Sequence, residues 1–395
     1  MPAAQNPPPQ ARQNRRQRVT SFWQRVTDGF RVDELWGQFK SEAKAGYVLY
    51  SGDVDWQPIE QERSRFKRAR LSAWALFQAM LMKLSPARRV LLLVAVVTVL
   101  VNPDIRLGRG AGEADFGLGW IGIIILFVLL ALELGDRVTM KRDLEIAREI
   151  QQWLVPSAPP KVPGMDIAFA TRPQNTVAGD YYDAFLRPES ATAPKPPSLL
   201  VVVADVAGKS VPAALLMATF QSGLRTLSAT PASLDEIVTG VDRYARAHSL
   251  EGRRFTTAFL AEIDPQTREM RYVNAGHNDP ILRRASGQIE RLSSGGPPFG
   301  LPLFTDHEIA YAAGSVQLQP GDLLFIFTDG VAEAVNEAGE EFGEARIISS
   351  ISVVPTESAA GILERVMSDV NSFVGYARQH DDITALVLRI VPQAG

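Results

Sequence analysis

Hydrophobic positions follow three different spacings along this chain, and the changes of spacing divide it. Val90–Val101 and Gly117–Leu132 are apolar runs of 12 and 16 residues. From Val138 the pattern becomes helical. Met140, Leu144, Ala147, Gln151 and Leu154 follow the 4-3-4-3 spacing of a coiled-coil seam, and Ile146, Ile150 and Trp153 form a second stripe beside it. Pro156, Pro159 and Pro160 end that helix. Beyond residue 163 the apolar runs shorten to Leu199–Val203, Leu323–Phe327 and Ala385–Leu388, each beside Gly or Asp, as buried strands require. Helical spacing returns over Val211–Ser228, Ser233–His248 and Ser358–Val374. Turn signals fall at Pro163-Gly164, Asp264-Pro265, Ala285-Ser286-Gly287 and Gln319-Pro320-Gly321-Asp322. Four segments follow: a partly disordered leader (1–85), two short apolar helices (86–135), a linker helix (136–156) and one α/β domain (163–392).

Charge sharpens the first boundary. Residues 1–89 hold 16 Lys and Arg against 8 Asp and Glu, an excess of eight positive charges. The net charge of −3 then leaves −11 on the remainder. A basic leader ahead of apolar segments suits the cytoplasmic face of a membrane. The segment 104–116, with Asp104, Arg106, Arg109, Glu113 and Asp115, is less basic. The apolar pair therefore reads as a membrane hairpin with both ends in the cytoplasm, although each run is shorter than the ~20 residues a spanning helix needs. The basic residues share no periodic face, which argues against a nucleic-acid arm. Residues 1–19 are rich in Pro, Gln and Arg and read as disordered. The 138–154 helix joins the two parts and offers a contact for a homodimer.

The chain has no cysteine and four histidines. Disulfides, thiolate metal sites and a cysteine nucleophile are excluded. What remains is a set of four aspartates, each where an apolar run meets a turn: Asp180 after Gly179, Asp205 after Leu199–Val203, Asp329 after Leu323–Phe327, and Asp381 (with Asp382) before Ala385–Leu388. In an antiparallel sheet, carboxylates after two strands and before a third converge on one rim. Clustered carboxylates repel unless a cation lies between them, and hard Mg²⁺ or Mn²⁺ fits an all-oxygen set. Val206, followed by a glycine-containing turn, can add a backbone carbonyl. Two such ions can activate water and clamp a phosphoryl group without a protein nucleophile.

The strings Val177-Ala-Gly-Asp-Tyr-Tyr-Asp183, Asp205-Val-Ala-Gly-Lys-Ser-Val-Pro-Ala-Ala-Leu215, Asn274-Ala-Gly-His-Asn278, Pro320-Gly-Asp-Leu-Leu-Phe-Ile-Phe-Thr-Asp-Gly-Val-Ala-Glu-Ala334 and Asp381-Asp-Ile-Thr-Ala-Leu-Val387 resemble the SpoIIE-type branch of the PPM metal-dependent serine/threonine phosphatases. Ala147–Pro156 resembles the regulatory helix that precedes such domains. The resemblance covers about 140–392. It implies an α/β fold with a central β-sandwich of two antiparallel sheets flanked by helices, preceded here by the membrane hairpin and linker helix. It implies Asp180, Asp205, the Val206 carbonyl, Asp329 and Asp381 as ligands to two Mn²⁺ or Mg²⁺ ions. The activity implied is hydrolysis of phosphoserine or phosphothreonine on a partner protein, in this branch usually a STAS-domain anti-anti-sigma factor.

Ala178 and Ser210 stand where the family usually has glycine. His277 is a further candidate as an acid or substrate contact, Asp183 as a partner of bound water, and Lys209 as a phosphate attractant. Gly208-Lys209-Ser210 lacks the upstream glycine of a P-loop, since residue 203 is Val. The rival of another class is a catalytically weak, membrane-tethered module that binds a partner through the same surface. Metal-dependent turnover separates the two.

Overall fold

The computed structural model describes residues 64–101, 104–107, 114–117, 119–187, 197–248, 254–293, 295–301, 310–352 and 357–391, with four isolated residues before them. The disordered leader over 1–19 and most of the loop 187–197 lie outside the described residues. The chain separates into two compact units, Met1–Asp136 and Arg137–Gly395.

In the first unit, α1 (Arg65–Lys83) is followed by α2 (Pro86–Val101), a short antiparallel pair β1 (Asp104–Leu107) and β2 (Ala114–Gly117), and the start of α3 (Gly119–Leu154). The two apolar helices pack against each other. They approach closely where Ala95 and Gly122 are buried, and a Cβ on Gly122 would lie 2.7 Å from Val99 Cγ2. Arg88 pairs with Asp136 at 2.6 Å and Glu133 at 3.5 Å. The membrane-crossing part of the expectation is not met: among the described residues no helix is long and apolar enough to cross a membrane. α2 has 16 residues, about 24 Å of helix against a hydrocarbon core of about 30 Å. The apolar stretch of α3 stops at Glu133, Asp136 and Arg137. The second apolar run and the linker helix are one continuous helix of 36 residues, because no Gly-Pro or cap signal interrupts 119–154.

The second unit opens with the end of α3. It continues through β3 (Met165–Arg172), β4 (Tyr181–Leu186), β5 (Leu199–Val206), α4 (Ser210–Ser228), α5 (Leu234–Ala247), β6 (Thr256–Ile263), β7 (Glu269–Ala275), β8 (Ile281–Arg283), β9 (Ile289–Arg291), β10 (Gly314–Gln317), β11 (Leu323–Phe327), α6 (Asp329–Ala332), α7 (Gly343–Ile351), α8 (Ala359–Val374) and β12 (Ile383–Ile390). One sheet orders β10-β7-β6-β5-β4 and the other β3-β12-β11-β8-β9, with all pairings antiparallel.

The strand runs are apolar throughout because both faces of each sheet are covered. Alternate residues point oppositely. Leu199, Val201 and Val203 of β5 meet Leu324 and Ile326 of β11 and Leu386 and Leu388 of β12 between the sheets. Leu200, Val202 and Ala204 face α4 and α5, through Ala213, Met217, Phe220, Ile237 and Val241. Leu323, Phe325 and Phe327 face α7 and α8, through Ile347, Ile351, Ile362 and Val366. The result is four layers, helix, sheet, sheet, helix. Side chains such as Phe325 and Leu200, fully buried, each contribute about 1.5–3 kcal/mol of burial. A capping box starts α5: Ser233 Oγ accepts from Glu236 N and the Glu236 carboxylate accepts from Ser233 N.

Candidate metal centre

Each sheet delivers one pair of carboxylates. Tyr181 of β4 is opposite Ala204 of β5, so Asp180, just before β4, comes level with Asp205 near the end of β5. Phe327 of β11 is opposite Ala385 of β12, so Asp329, just after β11, comes level with Asp381-Asp382 just before β12. The sequence pattern led to one rim of one sheet. The structure has two rims, one per sheet, brought face to face by the sandwich. Thr328 joins them: its Oγ1 donates to Asp180 Oδ2 at 2.9 Å and accepts from Thr384 N at 3.1 Å.

Glycines make the close approaches. A Cβ on Gly179 would lie 3.2 Å from the Val206 carbonyl oxygen, which places that carbonyl beside the turn carrying Asp180. A Cβ on Gly330 would lie 2.0 Å from the Asp382 carbonyl, so only glycine lets the turn after Asp329 rest on the strand opposite. Ser210 has φ 61°, in the left-handed region that favours glycine, so the serine that replaces the family's usual glycine keeps the backbone that glycine prefers.

The electrostatics are those of unneutralised negative charge. Burial, then the neighbouring Asp205 carboxylate, hold Asp180 well above the usual carboxylate range. Burial, then Asp329 and Asp381, push Asp205 up to about 7. Asp329 is raised by burial and by Asp381. Lys209 Nζ lies 3.0 Å from Asp381 Oδ2 and also donates to the His380 carbonyl. Asp205, Asp329 and Asp381, with Val206, Lys209, His277 and Asn278, line a recess of about 260 Å³. Among the described residues no three Asp, Glu or His side chains already stand as a closed cage. The donor set nevertheless fits hard divalent ions: carboxylates and a peptide carbonyl, mutually repelling, around an open recess.

The other candidates divide. Asp382 turns away from the recess. Its carboxylate accepts from Gln174 N and Gly179 N, each at 2.6 Å, and so fastens the loop that leads to Asp180. Asp183 is engaged by protein groups. It is fully buried, accepts from Tyr181 Oη at 2.5 Å, and takes both Arg225 Nε and Nη2, at 2.7 and 2.9 Å. His277 is buried against Thr257 Oγ1 at 3.0 Å, and burial pushes its pKa down to about 4, so it carries no imidazolium proton at neutral pH. Sequence reasoning missed Thr328 and the fastening role of Asp382. The only local signal for Thr328 was its place before Asp329-Gly330.

The four-layer sandwich with a carboxylate rim at the meeting of its sheets defines a PP2C-like α/β fold. Residues 195–391 match the family described as Stage II sporulation protein E (SpoIIE), and the domain belongs to that family of PPM phosphatases. The match includes Asp205, Asp329 and Asp381 and starts after Asp180. The chain is 28% identical over 318 residues to Protein IcfG of Synechocystis, across 72% of this chain and 48% of IcfG, so it spans about half that relative's length. It is 26% identical over 257 residues to the phosphoserine phosphatase RsbU of Bacillus subtilis, across 65% of this chain and 72% of RsbU. The solved SiaA-PP2C domain of Pseudomonas aeruginosa shares the fold with a TM-score of 0.54 at 21% identity, covering 64% of this chain and 98% of that domain.

Proposed function

We propose that this chain is a metal-dependent phosphoprotein phosphatase that hydrolyses phosphoserine or phosphothreonine on a partner protein. The observation that carries the reading is the convergence of Asp180 and Asp205 from one sheet with Asp329 and Asp381 from the other, beside a recess lined by Asp205, Asp329 and Asp381, where burial and neighbouring carboxylates raise the proton affinity of Asp180, Asp205 and Asp329. Asp180, Asp205, Asp329, Asp381 and the Val206 carbonyl are the proposed ligands of two Mn²⁺ or Mg²⁺ ions. When bound, such ions supply the positive charge and the acidified water that phosphate-ester hydrolysis needs. The chain's own residues hold and orient. Thr328 fixes Asp180, Asp382 fixes the preceding loop, and Lys209 adds a positive charge beside Asp381. No cysteine is present to act as a nucleophile.

The proposed substrate is a small phosphorylated STAS-domain factor, on the strength of the sequence resemblance; similarity to the phosphoserine phosphatase RsbU supports a phosphoserine substrate. Dimerisation through α3 is supported by the exposure of Met140, Ile146, Ile150 and Trp153. A catalytic domain in the cytoplasm, held at the membrane face, is supported by the basic excess of residues 1–89.

The test is hydrolysis of an aryl phosphate by residues 137–395 with Mn²⁺ and with EDTA, beside Asp329→Asn. Turnover that requires metal and vanishes in the variant is the expected result. A folded domain that neither binds Mn²⁺ nor turns over would overturn it and favour the partner-binding module.

A further inference from the structure

Gln151 occupies a seam position of the linker helix by spacing, yet its side chain is not left free for a second copy. Its Nε2 donates to the Ala178 carbonyl at 2.7 Å, and its Oε1 accepts from Ala178 N at 2.9 Å. One amide therefore satisfies both backbone groups of a buried residue two positions before Asp180. Only Gln or Asn can do this, since the pair needs a donor and an acceptor on one planar group, and Asn is one methylene shorter.

The turn thus held has a second restraint next door. Gly179 N donates to Asp382 Oδ2 at 2.6 Å, and a Cβ on Gly179 would lie 3.2 Å from both Ala213 Cβ and the Val206 carbonyl oxygen. Ala178 and Gly179 are therefore gripped in sequence, first by the linker helix and then by the opposite sheet. Asp180 follows directly. Apolar packing around Gln151 is sparse: its seam neighbours Leu144, Ala147 and Leu154 are only half-buried, Ile146, Ile150 and Trp153 beside them are 46%, 50% and 82% exposed, and Val155, past the helix end, is the nearby residue that joins the core clusters. The amide pair is the specific attachment on this stretch.

We propose that Gln151 is a positioning residue for the metal centre: the linker helix sets the place of Asp180 through the Gln151–Ala178 pair. This rests on the reading of Asp180 as a metal ligand. The consequence is that the catalytic unit begins at the linker helix, and that rotation or sliding of α3 acts on Asp180 directly. A role confined to anchoring the helix would leave Mn²⁺ affinity unchanged when the pair is removed.

The experiment uses the full chain with Gln151→Met, which keeps the side-chain length and removes both hydrogen bonds, and Trp153→Ala as a control on the same helix. Mn²⁺ affinity is measured by calorimetry, and amide hydrogen exchange over 174–180 is measured in EDTA. Gln151→Met is expected to bind Mn²⁺ about tenfold more weakly, the low end of the loss seen when a supporting partner of a metal ligand is removed. Amides 178–180 are expected to exchange faster even without metal, and Trp153→Ala to match the wild type. Should Gln151→Met fail to fold, Gln151→Glu keeps the bond from Ala178 N and is expected to show a smaller loss in the same two readouts. Unchanged Mn²⁺ affinity, or unchanged exchange at 178–180, overturns the proposal. A wild-type chain that binds no Mn²⁺ would sink the reading of Asp180 as a metal ligand and the proposal with it, whereas a wild type that binds Mn²⁺ beside a Gln151→Met of equal affinity would sink the positioning role alone.

Discussion

Asp205→Asn should stabilise the metal-free domain while abolishing its chemistry, and pH gives the size of the effect. Asp205 ionises near 3.8 when unfolded and at about 7 in the fold, where burial and the Asp329 and Asp381 carboxylates disfavour its charge. Below about pH 4 both states hold the proton and the residue costs nothing. Between about pH 4 and 7 the unfolded chain is ionised while the fold keeps its proton, so stability falls as pH rises. Above about 7 the loss is complete. A difference of about three pH units at about 1.36 kcal/mol each gives an upper bound of about 4 kcal/mol, reduced by whatever solvent reaches the recess. The assay is urea unfolding of residues 137–395 in EDTA, followed by circular dichroism from about pH 4 to 8. The variant should exceed the wild type by a margin that grows across that window and vanishes at its acid end. A variant less stable at about pH 8, or a margin independent of pH, would refute the electrostatic account of the rim.

Two further substitutions test its scaffold. Gly330→Ala forces a Cβ to within 2.0 Å of the Asp382 carbonyl and should destabilise the domain by about 3 kcal/mol, read as a lower urea midpoint, with loss of metal-dependent turnover. Arg225→Met leaves Asp183 buried without its cation and should cost about 3 kcal/mol, the low end for a broken buried pair because the Arg225 side chain is 40% exposed. Calorimetry should find Mn²⁺ affinity unchanged in the surviving fold, and a large loss would return Asp183 to the metal centre.

The continuous apolar runs of β5 and β11 were legible because two covered faces leave no polar alternation, and the helices α4, α5 and α8 because theirs is strictly periodic. Four aspartates at strand ends were legible as a set for the same reason: each interrupts such a run. Their division between two sheets was not, since strand order is decided by pairings such as Met165–Arg172 with Ile383–Ile390, more than two hundred residues apart in sequence. The supports of the site were equally hidden. Thr328 reaches Asp180 across 148 positions and Asp382 reaches Gly179 across 203; the place of Thr328 before Asp329-Gly330 marks the residue but not its partner, and nothing local marks the partner of Asp382. Gln151 gave a misleading local signal, because a seam position and a clasp to Ala178 share one spacing. Strands β8 and β9, of three residues each, and helix α7 were too short for periodicity to reveal.

Because Asp180 and Asp205 hang from one sheet and Asp329 and Asp381 from the other, a cation shared among them would rivet the two layers together. A ligand bound by the native state alone stabilises it by about 2.7 kcal/mol at a hundredfold excess over its Kd. The lifetime of the folded chain would then follow the supply of divalent ions. A cell short of them would lose the protein to unfolding and proteolysis at the same time as it lost turnover, so that abundance and activity decline together.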